Sequence, residues 1–524
     1  MVDFRQLACS LLGSLLFRLS PPGCYYDFRR DVSKSVVIVG AGSAGLAMLK
    51  TLLDLPVETR AEWNIVLYEQ RRDIGGIWLP DPSPPPPPKL PETPLYPLLH
   101  TDTPVPIMTY PHFPFPPGTP LFPTHGYIER YHQDYATHYG LWPYIKLNHS
   151  VVLSSWVGTP HAGHWELVVE DRNGDRIQKS FDHLVVAAGR YHEPHMVIFP
   201  GQDTWLENNR GGLQREILHS MWYRNPSWYA NRTVVVVGGG PSGVGIASQV
   251  LQFAHRVYLS VRSPPREVPL GHVELKPEIL HFTSDGAVFT DGSTVQDVDT
   301  VLLATGYDLR VPFLEEGGEV IVKPGSNETD GHKLATNLRY LFPLHQHIFS
   351  LSASYPTNAL AFIGLPRSPY IRSSNTAQSI YATSIIANGS LLAPRAELLS
   401  ELADSEEDLW RRGYDPYYIG HKMVNNSTFD YQEGLIKTLR SKEGLPEQNI
   451  PFIEPWRRES LDYLSGSLKR GWKRLEVLGL AEEWLEGVES EDEWADLMRR
   501  VNAWQRDWEA VHHLVFPDDI LVYS

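Results

Sequence analysis

Val36-Val37-Ile38-Val39-Gly40-Ala41-Gly42-Ser43-Ala44-Gly45 is the stretch that decides the fold. Four β-branched residues in a row suit a parallel strand buried on both faces. The glycine run G-x-G-x-x-G follows at once and opens a helix-like segment, Leu46–Leu53. In such a turn Gly40 permits the sharp bend and Gly42 lets backbone approach a pyrophosphate. Gly45 lets the helix pack on the strand, with its N-terminus toward the phosphates. Ala41, Ser43 and Ala44 complete the loop. A second strand, Ile65-Val66-Leu67-Tyr68, ends in Glu69, 24 residues after Gly45. An acid near that spacing hydrogen-bonds a ribose 2′-hydroxyl. A carboxylate there suits an unphosphorylated ribose, hence FAD or NAD.

The pattern occurs a second time. Val234-Val235-Val236-Val237 runs into Gly238-Gly239-Gly240-Pro241-Ser242-Gly243 and the helix-like Val244–Ala254. The next strand, Val257–Val261, ends in Arg262, with no acid at the ribose position. A guanidinium forms paired bonds to phosphate oxygens, so Arg262, with Ser260 nearby, suits a 2′-phosphate and favours NADPH over NADH. Two turns of opposite ribose chemistry predict an α/β chain with two Rossmann-like dinucleotide-binding domains. One holds FAD; the other takes NADPH and brings the nicotinamide to the flavin.

Residues 34–395 resemble the flavin-containing monooxygenases. Gly75-Gly76-Ile77-Trp78 is similar to the family's G-G-x-W segment beside the flavin, which implies cofactor contacts from Gly76, Ile77 and Trp78. Leu95-Tyr96 to Met108 resembles the substrate-side loop, and Tyr127–Leu141 the helix after it. Ala187-Ala188-Gly189, with Tyr191 and Pro194, and Ala304-Thr305-Gly306-Tyr307 resemble the crossings between the two nucleotide domains. Leu360–Gly364 looks like the strand that returns to the flavin, and Gln378 lies in the helix expected after it. The family's identifying motif, F-x-G-x-x-x-H-x-x-x-Y/F, is matched by Leu213, Arg215, His219 and Tyr223: the His and the aromatic are kept, the Phe and Gly are not. The final Tyr223, where the related Baeyer–Villiger enzymes place Trp, favours this family. Where the family has Thr-Asn beside the flavin, this chain has Thr101-Asp102, followed by Thr103. An ionised Asp cannot donate a hydrogen bond. Either burial keeps Asp102 protonated, or it has another role.

The resemblance implies catalytic roles for Thr101 and Asp102 and cofactor contacts from Thr103, Thr305, Gly306, Tyr307 and Gln378. The implied activity is an NADPH-dependent flavin monooxygenase that forms a C4a-hydroperoxyflavin and oxygenates a nucleophilic nitrogen or sulfur of a small molecule, with O2 as co-substrate. The alternatives are a Baeyer–Villiger or N-hydroxylating enzyme, an NADPH-dependent flavoprotein reductase, and a flavoprotein kept only for binding.

Composition bounds the rest. The chain has 524 residues, with 46 basic against 62 acidic side chains and a net charge of −16. Such a balance gives no general pull toward nucleic acid. Two cysteines, Cys9 and Cys24, preclude a disulfide framework, a Cys-rich metal site or a dithiol centre. Residues 1–33 form a leader with an 11-residue apolar run, Leu7–Phe17, too short to span a bilayer. A disordered or loosely docked leader and a cytoplasmic protein are expected; a secretory signal, an endoplasmic-reticulum location, or membrane association through this segment are the alternatives. The predicted order is an FAD-binding domain over 34–197, an NADPH-binding domain over 198–334, and an FAD-domain return over 335–394. Residues 395–524 are read as an acidic, Trp-rich helical region. Within the first domain, residues 80–123 carry 18 prolines and are read as a long loop packed across the scaffold by its aromatics. His125, His132 and His138 cluster in one predicted helix region, where a helix face outweighs a metal site.

Overall fold

In the computed structural model the first strand runs Lys34–Val39, between parallel neighbours Trp63–Glu69 and His183–Val186. Its side chains alternate, as a strand requires. Val36 and Ile38 join a core with Leu46 and Leu49 of the glycine-loop helix Ser43–Leu53 and with Ala377 and Ile385 of the long helix Ile371–Ala387. Val37 and Val39 face the other way, onto Trp165, Leu167 and Val169 of a three-stranded antiparallel meander, His149–Gly158, Gly163–Asp171 and Arg176–Phe181. Both faces are covered, which is why the strand reads as an unbroken β-branched run. Ile145–Leu147 and Leu360–Phe362 extend the parallel sheet, and the short strands Leu344–His345 and Phe349–Ser350 close its far edge antiparallel, seven strands in all. The structure describes residues 33–209, 212–263, 273–368, 370–425, 427–446, 450–462 and 466–513. Leu7–Phe17 and both cysteines lie outside them.

The second sheet has five parallel strands in the order Glu274–Lys276, Arg256–Ser260, Thr233–Val237, Thr300–Leu303, Glu216–His219. Val234 and Val236 pack on the helix Pro241–Val250, while Val235 packs toward Phe282 and Phe289. The chain leaves the first sheet after Val186 and re-enters it at Leu344, so the second sheet is an insertion. The two passages meet where Glu193–Pro194 pairs antiparallel with Tyr307–Asp308.

The proline-rich stretch is a packed strap. Tyr110 and Phe115 are buried in the first core, and Tyr96 joins the second. Its carbonyls are held from the second half: Trp222 Nε1 donates to Lys89 O at 2.9 Å, Arg224 Nη2 to Thr93 O at 3.1 Å and Gln249 Nε2 to Leu98 O at 3.2 Å. From the other side Arg457, fully buried, donates to Pro106 O at 3.2 Å and Thr109 Oγ1 at 2.7 Å. The C-terminal helices, among them Arg395–Arg411, Thr428–Ser441, Gly466–Leu478 and Glu491–Val511, dock on the first half. Trp472 and Trp494 enter the same core as Leu46. No helix among the described residues is long and apolar enough to cross a membrane.

Helix meets strand tightly at both glycine turns. A Cβ on Gly45 would lie 1.8 Å from Gly40 O, and one on Gly243 1.8 Å from Gly238 O. A Cβ on Gly42 would meet only Gly76, its Cα at 3.5 Å and its N at 3.9 Å. Gly45→Ala is therefore expected to destabilise the fold by about 3 kcal/mol. Gly42→Ala should keep wild-type stability in the flavin-free protein and weaken flavin retention. Thermal melts and the absorbance of bound flavin separate the two.

Candidate active site

The first loop is closed around its acid. Glu69 ends the second strand, 5% exposed; its Oε2 accepts the Ala41 N–H at 2.7 Å and its Oε1 the Arg71 N–H at 2.9 Å. Burial raises its pKa above the usual carboxylate value, and the two backbone donors act against that rise. Each oxygen keeps a lone pair for a ribose hydroxyl. Gly75 N–H donates to Ala41 O at 3.0 Å, and a Cβ on Gly76 would lie 3.0 Å from Gly42 Cα. The 3-10 turn Gly76–Trp78 thus lies against the phosphate loop. Arg71, to which no local sequence pattern points, pins it, donating to Gly76 O and Leu79 O at 2.7 Å each. Ile77 O accepts the Thr93 hydroxyl at 2.7 Å, tying the turn to the strap.

Thr101 is buried and its Oγ1 has no hydrogen-bond partner. Asp102, next to it, is exposed, and Lys469 of the helix Gly466–Leu478 donates to its Oδ1 at 2.7 Å. Asp102 is thus not the buried residue that the first alternative drawn from the sequence requires; it forms an ion pair with the C-terminal region. Thr103 is half-buried. Ser43, Ala44, Ile77 and Trp78 are each partly exposed around the loop.

On the second loop Gly240, Pro241 and Ser242 are exposed, and a Cβ on Gly240 would meet nothing within 4 Å. The first turn of the helix has no side-chain cap. Arg262 lies two residues past its strand, exposed, with Nη1 donating to Tyr418 OH at 2.8 Å. Ser260 is placed otherwise: it is buried and its hydroxyl donates to Pro277 O at 2.8 Å, so that proton is not available to a phosphate.

Two more expected contacts are engaged with protein. Thr305 Oγ1 donates to His195 O at 2.5 Å. Gln378, fully buried, accepts the Gly364 N–H at 2.9 Å and donates to Tyr431 OH at 2.8 Å, which donates to Gln346 O at 2.7 Å. Gln378 holds the return strand's turn from behind. Gly306, in the left-handed region at φ +84°, presents its carbonyl to His219 Nε2 at 2.9 Å, and His219 Nδ1 accepts the Met221 N–H at 3.1 Å. That fixes the proton on Nε2 and gives the motif histidine a role: it locks the crossing between the two sheets. Tyr307 packs between Tyr191 and His219, with ring centroids at 5.3 and 5.2 Å. Tyr223, fully buried, donates to Gln249 Oε1 at 3.0 Å and meets Tyr96 edge to face. Of the three helix histidines, His132 is buried against Ser43, whereas His138 packs on Tyr139; they do not converge.

A glycine cradle, a buried acid at its ribose side and an orphaned Thr101 hydroxyl fit a bound FAD. A second phosphate loop, with an exposed arginine, stands at the head of the other sheet. These define an oxidoreductase of the two-dinucleotide flavoprotein class. The family model for flavin-binding monooxygenase-like proteins matches residues 33–267 and 263–448, and the chain belongs to that family, whose cofactors are FAD and NADPH. It is 26% identical over 500 residues to the flavin-containing monooxygenase FMO GS-OX-like 8 of Arabidopsis thaliana, covering 89% of this chain and 94% of the relative. With FMO GS-OX-like 9 of the same plant the identity is 30% over 368 residues, covering 64% and 72%. Among solved structures, S-allyl-L-cysteine S-oxygenase from Allium sativum superposes with a TM-score of 0.67 at 23% identity, over 91% of this chain and 99% of that one. Cyclohexanone monooxygenase from Rhodococcus reaches 0.50 at 12% identity, over 79% and 98%.

Several imidazoles are buried neutral. Burial pushes His219, His345 and His347 down to about 4, and His132 and His421 well below the ordinary value. An unfolded histidine titrates near 6.5. Between about pH 6.5 and 4 the unfolded chain binds more protons than the native one, so native stability falls as pH falls through that window. A fully engaged group contributes about 1.4 kcal/mol per pH unit. Melting temperatures recorded from pH 8 to 4 should drop steeply below 6.5, and His219→Gln, which keeps a donor and an acceptor, should make the drop shallower.

Proposed function

We propose that this protein is an NADPH-dependent flavin monooxygenase that transfers one oxygen atom of O2 to a nucleophilic sulfur or nitrogen of a small molecule. The observation that carries the reading is the pair of glycine turns with opposite ribose ends, Glu69 on one and Arg262 on the other. In balance, NADPH, a proton, O2 and the substrate give NADP+, water and the S-oxide or N-oxide. The bound flavin supplies the redox and oxygen chemistry; the chain supplies binding, orientation and exclusion of water. Backbone N–H groups of Gly42, Ser43 and Ala44 bind the pyrophosphate, and Glu69 holds the ribose. The unpaired Thr101 hydroxyl offers a hydrogen bond on the flavin side. Backbone N–H groups at Gly240 and Ser242 and the Arg262 guanidinium hold the second nucleotide. The strap and the Tyr96–Tyr223 contact cover the space between the halves, where a dry site protects the reaction from water. The final aromatic of the identifying motif, Tyr223, favours nitrogen or sulfur over ketone carbon, and the Allium sativum neighbour is an S-oxygenase of S-allyl-L-cysteine.

The test supplies FAD-loaded protein with NADPH, 18O2 and, separately, a thioether, a tertiary amine and a cyclic ketone. A sulfoxide or N-oxide carrying one 18O is expected. A lactone would move the enzyme to ketone insertion. NADPH consumption with reduction of an external acceptor and no oxygenated product would make it a reductase.

Arg262→Ala is expected to raise the KM for NADPH about tenfold and leave that for NADH nearly unchanged, because only the former carries the 2′-phosphate that a guanidinium pairs with. Steady-state kinetics with both nucleotides provides the comparison.

A further inference from the structure

The first glycine loop rests on a buried cation with no acid partner among the described residues. Arg372, in the first turn of the helix Ile371–Ala387, is 3% exposed. Its Nη1 donates to Met108 O at 2.6 Å and its Nη2 to His132 Nε2 at 3.2 Å, while Nε is buried without a partner. The guanidinium lies over the rings of Tyr110 and Tyr131, 5.7 and 5.3 Å from their centroids. The groups that favour its charged form are those two tyrosines, and among the described residues no Asp or Glu acts on it. His132 adds no charge. Its Nδ1 donates to Ile128 O at 2.8 Å, so Nε2 is the lone-pair nitrogen that receives the Ser43 hydroxyl at 2.8 Å and Arg372. Burial holds that imidazole neutral. A charge taken out of water without a counter-ion is costly, so its retention in the core calls for an anion within electrostatic reach.

The anion's place follows from what the cluster holds. Ser43 is gripped twice: its hydroxyl by His132, and its carbonyl by Tyr110 OH, which donates to it at 2.8 Å. Ser43 is the first residue of the loop helix, whose N-terminal N–H groups face a pyrophosphate in this fold. The next residue is held as closely: a Cβ on Gly364 would lie 3.0 Å from Ala44 Cβ, so the return strand's turn closes on the loop as well.

We infer that Arg372 is the interior counter-ion of the FAD pyrophosphate, acting through the Ser43–His132–Tyr110 cluster from the buried side of the loop rather than by direct contact. The inference rests on the first loop being the FAD site. It makes Arg372 a cofactor-affinity residue that is specific for the phosphates and indifferent to the isoalloxazine. Because the charge is buried, its effect is screened little by salt.

The experiment compares wild type, Arg372→Met and Arg372→Lys. Deflavinated protein is titrated with FAD and with riboflavin, which lacks the phosphates, and the melting temperature of the flavin-free protein is recorded. For Arg372→Met the FAD Kd should rise at least about tenfold, the riboflavin Kd should stay within about twofold, and the flavin-free melting temperature should equal or exceed that of wild type, since an unmatched cation is gone. Arg372→Lys should keep most of the FAD preference over riboflavin. The inference is overturned if the Met variant melts lower or does not fold, or if its FAD-to-riboflavin preference matches wild type. It is also overturned if the Lys variant loses that preference as fully as Met does. Wild type that binds neither flavin would instead overturn the cofactor assignment itself, and that arm is read before any variant.

Discussion

Both nucleotide turns depend on an approach with no room for a side-chain carbon. At Gly45 the helix backbone comes against Gly40 O, and at Gly243 against Gly238 O, at the same would-be distance. Only that closeness puts a helix N-terminus in line with the end of its strand and aims unpaired N–H groups at a phosphate. The rest of each half serves the same end. The β-branched strands are covered on both faces, and the long helix Ile371–Ala387 packs beside the loop helix. Glu69 then ties the end of the neighbouring strand to the loop through Ala41.

The polar fixings at the crossing, around the return strand and under the strap mostly use backbone as the acceptor. His219 and His195 converge on Gly306: the ring of one and the backbone N–H of the other both donate to its carbonyl. Arg190, half-buried, donates to Gly364 O at 2.8 Å and also to Leu365 O, and burial brings its pKa down to about 10. Gln378 and Tyr431 carry the same turn toward the C-terminal helices. Arg457 reaches the strap from the far side, with Glu454 and Glu491 as its acid partners. The acidic C-terminal region is thereby part of the first core rather than an appendage, and Trp472 and Trp494 are buried where a solvent-facing acidic helix would have left them exposed.

Much of this was legible in the sequence because it is written in local pattern. A run of valines followed by spaced glycines has one physical use, and its repetition at Thr233 predicted the second sheet. Helix and strand limits shifted by a few residues: the segment read as Tyr127–Leu141 spans His125–His138, and Val244–Ala254 spans Pro241–Val250. What stayed hidden was set by contacts distant in the chain. Nothing local says that the Ser260 hydroxyl meets Pro277, that Gln378 faces Gly364, or that Asp102 meets a lysine 367 residues later. No local pattern singles out Arg372; its significance lies in the acid partner it lacks among the described residues, which only the packed structure displays.

The strap's anchoring to the second half has a further consequence. Trp222, Arg224 and Gln249 grip it by the carbonyls of Lys89, Thr93 and Leu98, and any amino acid carries a carbonyl. The strap's side chains can thus change in size and polarity while its mooring persists. The strap's surface can diversify without renegotiating how the two lobes are joined.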